Sequence, residues 1–247
     1  MRSSTRLSSH LPLFTICSRQ VSHEENVPRA VLPITPPKTP APESANNLLY
    51  HIIRTVVDYH LDPSGATRRV AVCGTYTTLH FAKAAARLQL ATEGYAPEVF
   101  AQYEEQTAAN SESWAHGDGV QVFARGASGE VVTVAIQTTR NTLGVFSVDG
   151  HVSGKLFYVL QQTTDYDADR SGGVQRTEVE GVYFDREEAV ANARKTLCDE
   201  AGEVKKSSFV VYEDGVAEVS EYGEEAVVHA VRDGGENVLV SVVEAAA

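Results

Sequence analysis

No apolar run in the 247 residues approaches the ~18–20 needed to cross a bilayer as a helix. The longest candidates, such as Val131–Ile136, are strand-sized, so no membrane span is expected. Cysteine is scarce. Cys17, Cys73 and Cys198 are odd in number and far apart, with no CxxC and no Cys/His cluster. That spacing argues against a disulfide framework and a structural zinc site. Reduced, mostly buried thiols are expected instead. Catalytic signatures are missing too: there is no GxSxG, Walker loop, GxGxxG or HExxH. This favours a non-enzymatic reading, although a site can still be assembled from distant residues.

Positive charge is also in deficit. Lys and Arg total 21 against 33 Asp and Glu, for a net charge of −12. Residues 1–45 hold Arg2, Arg6, Arg19, Arg29 and Lys38 against Glu24, Glu25 and Glu43. The remainder, with sixteen basic and thirty acidic residues, carries −14. So acidic a body repels phosphate backbones, and nucleic acid is not an expected partner.

Residues 1–45 lack a periodic apolar pattern and end in a proline-rich run, Pro33 to Pro42. They are expected to form a disordered tail, burying too little apolar surface to offset ordering. The first 23 residues hold three arginines among many serines and no acid. That is the composition of a mitochondrial transit peptide, and plain disorder shares it. A secretory signal fits less well, because Pro12 and Thr15 break the stretch Leu11–Cys17. A cytoplasmic protein is expected, with the mitochondrion as the alternative. Thr35-Pro, Thr39-Pro and the PxxP run Pro37 to Pro40 are patterns that any proline-rich linker supplies.

What is present is a 43% apolar fraction, ordinary for a globular core, and an internal repeat. Shifted by 107 residues, Leu49–Glu93 lies on Leu156–Glu200 without a gap, with 16 of 45 positions identical. Unrelated segments would share about three. Pairs include Asp58/Asp165, Tyr59/Tyr166, Asp62/Asp169, Ser64/Ser171, Gly65/Gly172 and Arg69/Arg176. After a short indel the same offset is expected to resume, pairing Val120 with Val227, Arg125 with Arg232 and Val131 with Val238. This defines a module at 46–140, a linker at 141–153 and a second module at 154–247.

Each module reads as β-β-α-β-β-β. Two β-branched and aromatic strands (48–58 and 69–76; 156–165 and 175–184) flank an Asp/Ser/Gly loop and form a hairpin. A helix follows. Thr77 or Thr78 caps the first copy, and Asp185 with Glu188 forms a capping box in the second. Ala82, Ala86 and Leu90, like Ala189, Ala193 and Leu197, make a narrow stripe that lets the helix lie close on a sheet. Short strands at 98–103 and 208–212 precede a closing hairpin at 120–137 and at 226–243. The expected fold class is α+β: two tandem modules, each a mostly antiparallel sheet with one helix, packed as a pseudo-twofold intramolecular pair.

Gly117 to Ala124 (GDGVQVFA), Asp165 to Gly172 (DYDADRSG) and Glu180 to Tyr183 (EGVY) resemble uncharacterised two-module proteins of filamentous fungi. The resemblance covers about 46–247. It implies a fungal cytosolic protein and carries over no catalytic residues.

Three constellations could carry chemistry. Asp167, Asp169, Ser171 and Glu178 follow the order of a calcium loop, D-x-D-x-S-G-x-V-x-x-x-E. Strand-like flanks and Gln175 and Arg176 count against it, and a solvated hairpin loop explains the same residues. Asp58 and Asp165, each followed by Tyr59 or Tyr166, recur at a strand end opposite Arg69 and Arg176. A cross-hairpin Asp–Arg pair is the structural reading, and a Tyr/Arg/Asp ligand patch the functional one. Trp114, His116 and Asp118 bring a histidine beside an acid, suited to acid–base work or to a plain turn. The expectation is a non-enzymatic binding or interaction protein with an unknown protein or small-molecule partner and no required cofactor. The alternatives are a small-molecule enzyme or accessory factor of a fungal pathway with a site in the inter-module cleft, and a calcium-responsive module.

Overall fold

The computed structural model describes residues 47–199, 201–215 and 225–246. The expected disordered tail, with its transit-like segment, its Thr-Pro sites and Cys17, lies outside the described residues. The first module runs β1 (Leu48–Asp58), β2 (Arg68–Tyr76), α1 (Leu79–Thr92), β3 (Gln102–Glu105), β4 (Val120–Arg125) and β5 (Glu130–Arg140). The second runs β6 (Phe157–Asp165), β7 (Gln175–Tyr183), α2 (Arg186–Ala193), β8 (Val211–Asp214), β9 (Ala226–Val231) and β10 (Glu236–Glu244). The sheets are ordered β2-β1-β5-β4-β3 and β7-β6-β10-β9-β8, and every neighbouring pair is antiparallel. The fold is α+β with two similar sheet modules.

Local chemistry accounts for the helix starts. The Thr78 hydroxyl accepts from the backbone N–H of Phe81, and the Asp185 carboxylate from that of Glu188. α2 ends at Ala193, where Lys195 and Thr196 donate to carbonyls three residues back, so Leu197 is buried from tighter turns beyond the helix. The short strands start later than expected, at Gln102 and Val211. Pro97 opens a 3-10 turn over Pro97–Val99, and Lys206–Ser208 forms another in the second module.

The central strands are apolar on both faces because both faces are covered. On β1, Ile52 and Val56 join Ala86 and Leu90 of α1 and Val122, Ala124, Val132 and Val134 of the sheet. The opposite face sends Leu49 and Ile53 into a cluster with Val72 and with Leu156, Tyr158, Leu160, Val179 and Val182 of the second module. Phe157 and Val159 of β6 turn instead to Ala189, Ala193 and Leu197. The layers therefore run helix, sheet, sheet, helix. The connecting segment is part of this core: Val152 is buried in the inter-sheet cluster, with Leu143 and Val145 against it.

One expected alignment is corrected by the pleat. Ala124 pairs with Val132 on β5, and Ala230 with Val238 on β10. Val56 pairs with Val132, and Thr163 with Val238. The closing hairpins thus correspond at an offset of 106 rather than 107, so Val132, not Val131, matches Val238. In valine-rich strands a one-residue slip barely changes the letters, yet it turns every side chain to the other face.

A polar chain sits in the middle of the apolar inter-sheet layer. His51 Nδ1 is hydrogen-bonded to Thr75 Oγ1 at 2.9 Å and His51 Nε2 to Thr139 Oγ1 at 2.8 Å. Thr75 Oγ1 in turn meets the Tyr158 hydroxyl at 2.8 Å, and the His51 and Tyr158 rings stand edge to face at 5.7 Å. Burial lowers the His51 pKa to about 4. Between the ordinary value of 6.5 and about 4, the unfolded chain takes up a proton that the folded one refuses. Stability therefore falls as pH drops through that window, by on the order of 3 kcal/mol. Denaturation midpoints of His51→Gln should lose this part of the pH slope between 6.5 and 4; equal slopes in both proteins would refute it.

Candidate functional site

The repeated polar residues are consumed in building two loops. Asp58 Oδ1 accepts the N–H groups of His60 and Leu61, as Asp165 Oδ1 accepts those of Asp167 and Ala168. Asp62 accepts from the Ser64 hydroxyl at 2.6 Å and from the N–H groups of Ser64 and Thr67. These bonds, the Ser64 hydroxyl foremost, hold its carboxyl down at about 2. Asp169 repeats the pattern with Ser171 and the N–H of Gly173, and its pKa is lowered likewise. Tyr59 lies over Gly65 and Tyr166 over Gly172. Both glycines have positive φ, +74° and +79°, and a Cβ at Gly65 would come 2.7 Å from the Tyr59 ring.

The arginines go elsewhere than the sequence suggests. Arg69 reaches Glu130 at 3.4 Å and Arg176 reaches Glu178 at 2.9 Å, so neither ion pair involves Asp58 or Asp165. Of the calcium-loop residues, Asp169 and Ser171 are bonded to each other, Glu178 to Arg176, and Asp167 lies beside Gly235. Among the described residues, no group of three or more His, Cys, Asp or Glu side chains is gathered closely enough to hold a metal ion.

The two loops also meet each other. Arg68 donates to the carbonyl oxygens of Gly173 and Gln175, and Gln175 Nε2 donates to that of Ala66 at 2.8 Å. Arg68 and Gln175 are partners in the repeat, as are Ala66 and Gly173, so each module makes the same reach into the other.

His116 does not use Asp118, which is exposed two residues on. Its Nε2 lies 2.8 Å from Glu104, and its ring is stacked on Phe123 at 3.9 Å with Trp114 against its edge. The second module has a counterpart that the repeat alignment does not show. His229, facing Glu213 across β8 and β9, lies 3.0 Å from it. A histidine–glutamate contact thus braces the β3–β4 edge in one module and the β8–β9 edge in the other.

Two of the cavities among the described residues bear on a binding site. One, of about 260 Å³ at the module boundary, is lined by Cys73, Thr75, His151, Lys155, Tyr158 and Glu244 among others. Burial pushes the Cys73 thiol up to about 11 and the Tyr158 hydroxyl up to about 12. Both groups therefore stay protonated near neutral pH. The other, of about 250 Å³, opens between the sheet of the first module and the C-terminal end of α1. Arg69, Val56 and Val132 stand in one row across β2, β1 and β5, with Arg54 two residues back on β1. Leu90 closes the floor, while Glu93, Glu130, Tyr95 and Phe100 complete the walls. Arg54 is ion-paired with Glu93, which also accepts from Gln89 Nε2 at 2.8 Å. Among the described residues, the buried Arg54 Nε has no hydrogen-bond partner, a costly state for a cationic donor. In the second module the repeat puts Gln161 in place of Arg54 and Thr163 in place of Val56.

Of this cavity, sequence reasoning singled out only Arg69. A usable signal was present: Arg54 interrupts the apolar helix-facing series Ile52, Arg54, Val56 and is not kept at Gln161.

No protein-family model matches the chain, and neither a curated protein nor a solved structure matches it.

The loop contact leaves no room at Gly173, where a Cβ would run into the Ser64 carbonyl oxygen. Gly173→Ala should lower stability by about 1–3 kcal/mol in chemical denaturation, and an unchanged midpoint would mean that the loops do not pack.

Proposed function

We propose that the chain is a non-enzymatic binding protein, made by tandem duplication of one ββαβββ module and packed as a pseudo-twofold pair. The second copy serves as scaffold and the first holds a small molecule between its sheet and its helix. The carrying observation is the Arg54 cavity, with an apolar floor and a buried guanidinium N–H that has no acceptor among the described residues. The duplicated polar residues support the division of labour, since Asp58, Asp62, Asp165 and Asp169 serve their own loops. The reciprocal bonds of Arg68 and Gln175 support a common origin of the modules, because exchanging the copies leaves the contact pattern nearly unchanged. The raised values of Cys73 and Tyr158 favour binding over catalysis at the module boundary.

The test is a thermal-melt screen of the full chain against small metabolites. A ligand at a hundred times its Kd adds about 2.7 kcal/mol, which in a chain of this size is a rise of roughly 5–10 °C. At least one compound should raise Tm in wild type and much less in Arg54→Gln. Hits that ignore Arg54→Gln but vanish in His151→Ala would move the site to the module boundary and overturn this assignment.

A further inference from the structure

The cavity's chemistry narrows the ligand, and the following rests on the binding reading above. We infer that the first module binds a small monocarboxylate with a flat or branched apolar body, its carboxylate taken by Arg54 and Arg69.

Size comes first. A volume of about 250 Å³ lies below the ~300–1,000 Å³ of drug-sized sites. At roughly 30 Å³ per water-sized unit it holds on the order of eight to ten non-hydrogen atoms. Shape follows from the lining. Val56, Leu90 and Val132 give an aliphatic floor, and Tyr95 and Phe100, with ring centroids 6.3 Å apart, give a wall that accepts a flat or branched group.

Charge decides the head group. Arg54 gives Nη1 to Glu93, and its Nε–H, shielded from solvent, has no acceptor among the described residues. Arg69 has a side chain 68% exposed and one long contact, 3.4 Å, to Glu130. Both carboxylates facing the cavity already have partners: Glu93 with Arg54 and Gln89, Glu130 with Arg69. A ligand carboxylate gains two guanidinium donors and displaces only the long Arg69–Glu130 contact, whereas a ligand cation would have to take Glu93 from Arg54. Charge-assisted bonds to arginine also discriminate strongly between an acid and its amide. The second module is an internal contrast, since Gln161 and Thr163 replace the guanidinium and part of the apolar floor.

The experiment is an NMR titration of the full-length, ¹⁵N-labelled chain with phenylacetate and with phenylacetamide, following the Arg54 Nε–H and the Leu90 backbone signal. Phenylacetate should shift both saturably and bind at least tenfold more tightly than the amide. Arg54→Gln, a residue the fold already carries at position 161, should abolish that preference, and Arg69→Gln should reduce it. If the amide binds as tightly as the acid, or Arg54→Gln keeps the preference, the carboxylate assignment falls while the binding site stands. If neither compound moves the cavity signals at millimolar concentration, both the assignment and the cavity as the binding site fall.

Discussion

Everything in this molecule depends on two sheets meeting through their helix-free faces. A five-stranded sheet with one short helix covers a single face and leaves the other apolar. Leu49, Ile53 and Val72 on one side and Leu156, Leu160, Val179 and Val182 on the other are core residues only because the partner sheet lies on them. Each such side chain contributes about 1.5–3 kcal/mol when removed from water. Neither module keeps this contribution without the other, and the connecting segment, through Val152, closes the same layer.

Within that apolar layer the His51–Thr75–Tyr158 chain is the costly exception. Its members satisfy one another, so the network orients the two sheets more than it stabilises them. His51 and Tyr158 occupy matching places in the repeat but differ in kind. The centre of a nearly symmetric interface is therefore asymmetric, as is the Arg54 cavity, where Gln161 stands in the other module. The residues that the two modules share at their hairpins hold the loops.

Much of the fold was legible because its determinants are local. Thr78 and Asp185 announce the helix starts, the Asp/Ser/Gly loops announce the hairpins, and the alanine stripe announces close helix packing. The register of the last two strands was not legible, since valine runs look alike one residue apart and only pairing across the sheet fixes their faces. The cavity escaped for a different reason. Arg54, Arg69, Glu93, Phe100 and Glu130 come from five separate stretches of chain, and only the crossing of α1 over the sheet brings them together. His116 misled through proximity in sequence: Asp118 is two residues away, but the strand pairing presents Glu104.

The loop-to-loop contact carries a consequence for synthesis. Arg68 binds the carbonyl of a residue 105 positions later, and Gln175 reaches back 109. On the ribosome the first sheet is complete once β5 emerges, yet its inner face then has nothing to lie against. Until β6 and β7 follow, Leu49, Ile53 and Val72 are presented to solvent as a bare apolar surface. That surface is long-lived on the timescale of strand pairing, because synthesis adds only about 5–20 residues per second. The second module, once made, covers that surface and turns it into the buried inter-sheet layer.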